Sequence, residues 1–102
     1  MENEKIEKLL DELGIKVNQC GYSYWITALQ IYYKNKEATL EEIYDKVAKE
    51  HNATSMSVKT AMRRTYENKI EESKIQSYFN VDYKITNSIL LNLLMRELER
   101  SK

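Results

Sequence analysis

The sequence of 102 residues contains no proline, two glycines and one cysteine. Without proline, no helix needs to be interrupted, and no Asn-Gly or Asp-Gly turn separates alternating segments as in a β-hairpin. A single thiol, Cys20, cannot form an internal disulfide, which is typical of proteins in a reducing cytosol. No apolar run approaches the roughly 20 residues of a membrane-spanning helix, and no signal peptide opens the chain. These absences favour a small cytoplasmic domain made of helices and argue against a membrane partner.

The chain also lacks an excess of charge, since sixteen basic residues balance sixteen acidic ones. One segment is clearly basic: residues 52–70 contain four basic residues and one acidic residue, a net charge of +3, and they follow an acidic segment, residues 39–51. A nucleic-acid partner would therefore have to be bound by this local segment rather than by the charge of the whole protein. A solvated surface with no partner is the alternative that stays open.

Apolar residues recur at three- and four-residue steps along most of the chain, which is the period of amphipathic helices. The pattern predicts an all-α fold of about six helices, and the length predicts a single domain over residues 1–102. Gly14 is expected to end the first helix, and Thr39 with Glu42 forms a capping box that is expected to start the third. Asn52, which tolerates a left-handed backbone, is expected to end that third helix. We further expect a short fifth helix around residues 74–79 and a last helix over about 87–100.

A short break follows the third helix, and Thr54 or Ser55 is expected to cap a fourth. With Val58 and Met62 placed in the core by the helical period, the basic residues of the segment fall on the outward side. Two helices joined by so short a break, with cations on the free face of the second, are typical of a helix-turn-helix. The fourth helix, about residues 55–69, would then enter the major groove of DNA. The predicted DNA-binding residues are Ser57, Lys59, Thr60, Arg63, Arg64 and, through a phosphate, Lys69.

Chemically reactive side chains are few. Cys20 and His51 are the only candidates for a Cys/His dyad, and the pattern places them in different loops without a third partner. A zinc site needs more Cys and His residues than these two, and the chain has no glycine-rich phosphate loop. We therefore expect no enzyme activity, no metal and no cofactor.

Four segments resemble, in the same order, a known family. They are Gly21 to Tyr24, Tyr33 to Asn35, Ile43 to Asn52, and Val58 with Ala61 to Arg63. Together they are similar to the C-terminal DNA-binding domain of the stage-zero A response regulator of sporulation in Firmicutes, over nearly the whole chain. The resemblance implies about six helices, a helix-turn-helix from the third and fourth, and transcription regulation through a short box of double-stranded DNA. At two positions where the family usually has arginine the chain has Ser57 and Thr60, so the family's base preference does not transfer.

We therefore expect a non-enzymatic DNA-binding regulator of transcription, of the sporulation type, in the cytoplasm. Because no receiver domain precedes the helices, we expect a stand-alone protein without phosphorylation control of the family's kind. So few surface cations predict weak binding by a monomer, and hence a weak homodimer or tandem binding on DNA. Leu91 and Met95 widen the apolar face of the last helix, which indicates either a dimer seam or deep burial.

The alternative function is a protein-interaction module that binds a regulator or RNA polymerase without binding DNA. The isoelectric point of about 6.6 and the absence of the family's arginines at positions 57 and 60 favour this alternative. The two functions differ in one measurement, since only a DNA-binding protein has a duplex affinity that falls steeply with salt.

Overall fold

The computed structural model describes residues 2–100, and every regular element within them is an α-helix. The predicted all-α class with about six helices is confirmed. Met1, Ser101 and Lys102, at the ends of the predicted domain, lie outside the described residues. No described helix combines the length and the apolar character that crossing a bilayer requires. In chain order the helices are α1 (Asn3–Glu12), α2 (Cys20–Lys34), α3 (Leu40–His51), α4 (Ser55–Arg64), α5 (Lys69–Phe79) and α6 (Asn87–Arg100).

Local hydrogen bonds explain where α3 begins and ends. Thr39 Oγ1 accepts from the Glu42 N–H at 3.2 Å, and Glu42 Oε1 accepts from the Thr39 N–H at 3.0 Å, so the predicted capping box is present. Asn52 follows the helix with a φ of 54°, and the N–H of Ala53 donates to the Ala48 carbonyl at 2.8 Å. The predicted left-handed end of α3 is thus confirmed.

The fourth helix is shorter than predicted. α4 ends at Arg64, whereas the sequence pattern extended it to about residue 69. Thr65 Oγ1 donates to the Met62 carbonyl oxygen at 2.6 Å, and the backbone N–H of Thr65 approaches the same carbonyl, so the chain tightens into a turn. The predicted helix over residues 55–69 is therefore wrong at its C-terminal end, because a Thr side chain competes there with the helical hydrogen bonds.

The fifth helix is correspondingly longer. It begins at Lys69 rather than near residue 74, because the Asn68 side chain accepts from the Glu71 N–H at 2.9 Å and caps a new helix. Lys69, which the sequence analysis placed at the end of the fourth helix, is the first residue of α5. The position of the Lys69 side chain is therefore set by α5 and not by α4.

The second helix lies at the centre of the fold and contacts α1, α3, α4 and α6. Its approach to α4 is closest at Gly21, where a Cβ atom would lie 2.4 Å from the Ala61 carbonyl oxygen and 2.4 Å from Thr65 Cγ2. Both distances are far below van der Waals contact, so only glycine permits this backbone-to-backbone packing. The position of α4 against the core therefore depends on the missing side chain of Gly21.

The last helix is packed into the core along most of its length. Leu91 and Met95 are buried, with exposed fractions of 3% and 2%. Of the two interpretations of this apolar face, the structure supports deep burial, since these side chains present no exposed seam to a second copy.

Candidate nucleic-acid interface

The inner side of α4 is held by a buried indole from α2. Trp25 Nε1 donates to Thr65 Oγ1 at 3.0 Å and lies 3.3 Å from the Met62 carbonyl oxygen, which also accepts from the Thr65 hydroxyl. All three residues are buried, so these polar groups depend on one another for hydrogen bonds. The C-terminal end of α4 is thereby fixed against α2.

A buried amide, Asn87 at the start of α6, joins α3, α4 and the turn that follows α4. Its Nδ2 donates to Tyr44 Oη at 2.9 Å and to the Lys59 carbonyl oxygen at 3.2 Å, and its Oδ1 accepts from Tyr66 Oη at 2.7 Å. Burial raises the pKa of Tyr44 and of Tyr66, so both hydroxyls hold their protons to a higher pH than an exposed tyrosine would. From the sequence, Asn87 is predicted only to begin the last helix. The available signal was a polar residue in phase with the apolar stripe of the last helix.

The connection between α3 and α4 comprises residues 52–54 and is held at both ends. Thr54 Oγ1 accepts from the Ser57 N–H at 3.1 Å, and Ser57 Oγ accepts from the Thr54 N–H at 3.3 Å. Ser55 Oγ donates to the Asp45 carboxylate on α3. Thr54 is therefore the N-cap, and this short capped connection sets the direction of α4 relative to α3.

The outward side of α4 is polar, basic and open to solvent. Lys59, Arg63 and Arg64 are exposed, Thr60 is half-buried beside them, and α4 itself contains no acidic residue. Two grooves flank this side. Thr60 and Arg64 line one of about 440 Å³ with the start of α2, and Lys59 and Arg63 line another of about 370 Å³ with residues 84–88. The structure thus brings four of the predicted DNA-binding residues together on one exposed face.

Local partners modify two of the six predicted assignments, those of Ser57 and Arg63. Ser57 is exposed, but its hydroxyl belongs to the cap of α4, and a typical cap contributes about 1 kcal/mol. Arg63 Nε donates to Glu67 Oε2 at 3.0 Å, and the two side chains are 52% and 55% exposed. Since a surface pair of this kind contributes only about 0–1 kcal/mol, Arg63 can exchange Glu67 for another anion. Lys69 is exposed on α5, five residues beyond the end of α4.

Two further residues belong to this surface, although the sequence analysis did not assign them to it. Met56 is 71% exposed in the first turn of α4, and it precedes Thr60 by four residues, which places both on the same side of the helix. Lys84 lines the groove formed by Lys59 and Arg63. The four-residue spacing between Met56 and Thr60 could have placed Met56 on this surface from the sequence. Lys84 is distant in sequence, and only the packing of α6 brings it to α4.

Cys20 and His51 have different surroundings. Cys20 is the exposed first residue of α2. His51 Nε2 lies 2.8 Å from Thr27 Oγ1, and its ring packs edge-on against Tyr24 with centroids 5.0 Å apart. Among residues 2–100, no three Cys, His, Asp or Glu side chains are grouped so that they could hold a metal ion. Within the described residues, the side chains of this surface that can bind a partner are therefore the hydrogen-bond donors and cations of α4.

The chain also matches a known family. The family model described as sporulation initiation factor Spo0A C terminal covers residues 6–98. This range contains α2 to α5, most of α1 and α6, and the whole of the α4 surface. No curated protein matches the chain.

Proposed function

The chain belongs to the Spo0A C-terminal family, the DNA-binding domain of a sporulation regulator, and from this premise we propose that α3 and α4 form a helix-turn-helix that binds duplex DNA. The family is regulatory rather than enzymatic, so the proposed activity is binding alone. In this proposal residues 1–102 act as one domain in the cytoplasm, and α4 enters the major groove.

One observation supports the proposal most strongly: α4 is anchored on one side and exposes cations on the other. Trp25 and Asn87 hold its inner side through a buried and a half-buried hydrogen bond, while Lys59, Arg63 and Arg64 are exposed on the outer side. An anchored helix keeps its side chains in register with base pairs, whereas a mobile one would lose affinity through the entropy of ordering. Cations placed on a rigid helix are what groove binding requires.

The side chains divide into two proposed roles. Arg63 and Arg64 can pair with guanine O6 and N7, and each good bidentate contact contributes about 1–3 kcal/mol of discrimination against a wrong base. Thr60, one turn earlier, can serve several base edges. Lysines at the flanks supply contacts to phosphates, which position the protein without selecting a sequence. The proposed phosphate contacts are Lys59, Lys69 and Lys84, and Ser57, whose N–H and hydroxyl belong to the cap, supports the start of α4.

The small number of cations also bears on stoichiometry. α4 contributes three cations, and the whole chain has no net charge, so one copy gains little from phosphate neutralisation. We therefore propose that two copies bind together, as a weak dimer or in tandem on adjacent half-sites. Two linked binding events give an avidity that neither copy reaches alone.

The test is duplex affinity as a function of salt concentration, measured for the wild type and for Lys59→Ala combined with Lys84→Ala, which removes two proposed phosphate contacts that line one groove. The log of the binding constant falls with the log of salt by about 0.9 for each phosphate neutralised, so losing two contacts reduces the slope by about 1 to 2. Lys5→Ala combined with Lys8→Ala removes the same charge from exposed positions on α1 and serves as the matched control.

We expect the α1 variant to keep the wild-type slope. Absence of duplex binding by the wild type at low salt would contradict the proposal. That result would favour the interaction module that binds a regulator or RNA polymerase. An equal loss of slope in both double variants would refute the assignment of the interface to α4.

A further inference from the structure

The DNA-binding surface proposed above contains one large apolar side chain, Met56. It is 71% exposed and lies in the first turn of α4. The other exposed large apolar residues in the described part of the chain belong to segments other than α4. They are Val17, Ile70, Tyr78 and Tyr83. Isolated exposure of an apolar residue needs no explanation by itself. The position of Met56 on the proposed groove-facing side is what makes it informative.

Helical geometry places Met56 at the N-terminal end of α4, the end that would approach the base edges. Recognition helices insert their N-terminal residues toward the base edges, and Met56 is the second residue of α4. It shares the outward side with Thr60 and Arg63, at spacings of four and seven residues. At 1.5 Å per residue, Met56 and Arg63 are about 10 Å apart along the helix axis, or roughly three base pairs along a groove.

Ser57, the polar residue next to Met56, is less suited to contact a base at this end of α4. Ser57 uses its hydroxyl in the cap with Thr54, so a contact from it to a base would cost part of the cap. Met56 has no hydrogen-bonding commitment to the helix. The outward position of the first turn therefore presents a thioether and methylene surface, rather than a donor or an acceptor.

An apolar side chain in the major groove has one matching partner. Base edges there present donors and acceptors, and the C5-methyl group of thymine is the one apolar group among them. Methionine is unbranched and flexible, so it can adjust to a methyl group whose position varies with local DNA shape. We propose that Met56 packs on a thymine C5-methyl group and makes α4 select thymine at one position of its site. This inference rests on the proposed DNA-binding function.

The experiment removes the methyl group from the DNA and the side chain from the protein. A duplex selected from random sequences by the wild type is remade with deoxyuridine, which lacks the C5-methyl group, in place of each thymine in turn. We expect one position at which the wild type loses affinity about fourfold, as burial of one methyl-sized group implies. Met56→Ala should lose a similar factor on the thymine duplex and should no longer distinguish thymine from deoxyuridine there.

Two controls separate this contact from general effects. Ile70→Ala removes an equally exposed apolar residue, 70% exposed on α5, and should discriminate as the wild type does. Met56→Ala should keep the wild-type salt slope, because an apolar contact releases no counterions. Equal sensitivity of the wild type and Met56→Ala to deoxyuridine at every position would overturn the inference while leaving the DNA-binding proposal intact. No duplex binding by the wild type would overturn both.

Discussion

Replacing Gly21 by alanine tests the packing that positions α4. The new Cβ atom would lie 2.4 Å from the Ala61 carbonyl oxygen and 2.4 Å from Thr65 Cγ2, against an ordinary contact distance of about 3.5 Å or more. One of these neighbours is backbone, so rotation of a side chain cannot relieve the clash. α2 and α4 must separate by roughly 1 Å, and Thr65 is also the residue that receives the hydrogen bond from Trp25.

Two effects of opposite sign determine the magnitude. Helix propensity alone would make alanine more stable than glycine by about 0.5–1 kcal/mol. Overpacking typically costs about 1–3 kcal/mol, and weakening the buried indole hydrogen bond adds about 1–3 kcal/mol. We therefore expect Gly21→Ala to lower the free energy of unfolding by about 2–4 kcal/mol. For a domain of this size that is a decrease in Tm of about 8 °C or more.

The assay is urea or thermal denaturation followed by circular dichroism, with Ser23→Ala as the control. Ser23 is exposed on the same helix two residues away, so its substitution should change stability by no more than about 0.5 kcal/mol. A Gly21→Ala protein as stable as the wild type would refute the close approach of α2 and α4. A loss equal to that of Ser23→Ala would do the same.

Two further predictions concern the ionisable groups near α4. Glu67→Gln removes the carboxylate that pairs with Arg63, so duplex affinity should rise about threefold to tenfold at low salt. A salt titration measures this change, and an unchanged affinity would show that Arg63 does not bind DNA. Burial raises the pKa of Tyr66 in the folded state. The contribution of Tyr66 to the free energy of unfolding is therefore complete below the unfolded-state pKa of about 10, and it is lost as the pH rises above that value. Urea denaturation at pH 9 to 11 should show this decline, and Tyr66→Phe should make it shallower while costing about 1 kcal/mol at pH 7, because the hydrogen bond to Asn87 is lost.

Much of the fold could be predicted because helix formation depends on residues close in sequence. The capping box of Thr39 with Glu42 and the left-handed Asn52 act within one turn, so their effects are visible in the sequence. The period of apolar residues likewise identified the inner sides of α3 and α4. The Arg63 and Arg64 positions on the free face of α4 followed from the same period, and the structure places them there.

The error at the end of α4 has a local cause, the hydrogen bond from Thr65 to Met62, and a distant one, the hydrogen bond from Trp25 to Thr65. The sequence pattern predicts that the helix continues through residues 65–68. The Thr65 hydroxyl instead donates to the Met62 carbonyl oxygen and accepts from Trp25 Nε1, and the chain turns. The bond from Trp25 to Thr65 joins residues 40 positions apart, and no local window contains both. For the same reason, the hydrogen bonds by which Asn87 joins α6 to α3 and α4 could not be predicted from the sequence.

The amino-acid sequence by itself determined the helical class, the start and end of α3, and the presence of cations on one side of the fourth helix. These properties depend on side chains within about four residues of one another. Only the tertiary structure decided where α4 ends, how closely it approaches α2 at Gly21, and that Lys84 joins its exposed surface. The reason is physical: burial and close packing depend on which distant segments meet, and that is established only when the whole core assembles.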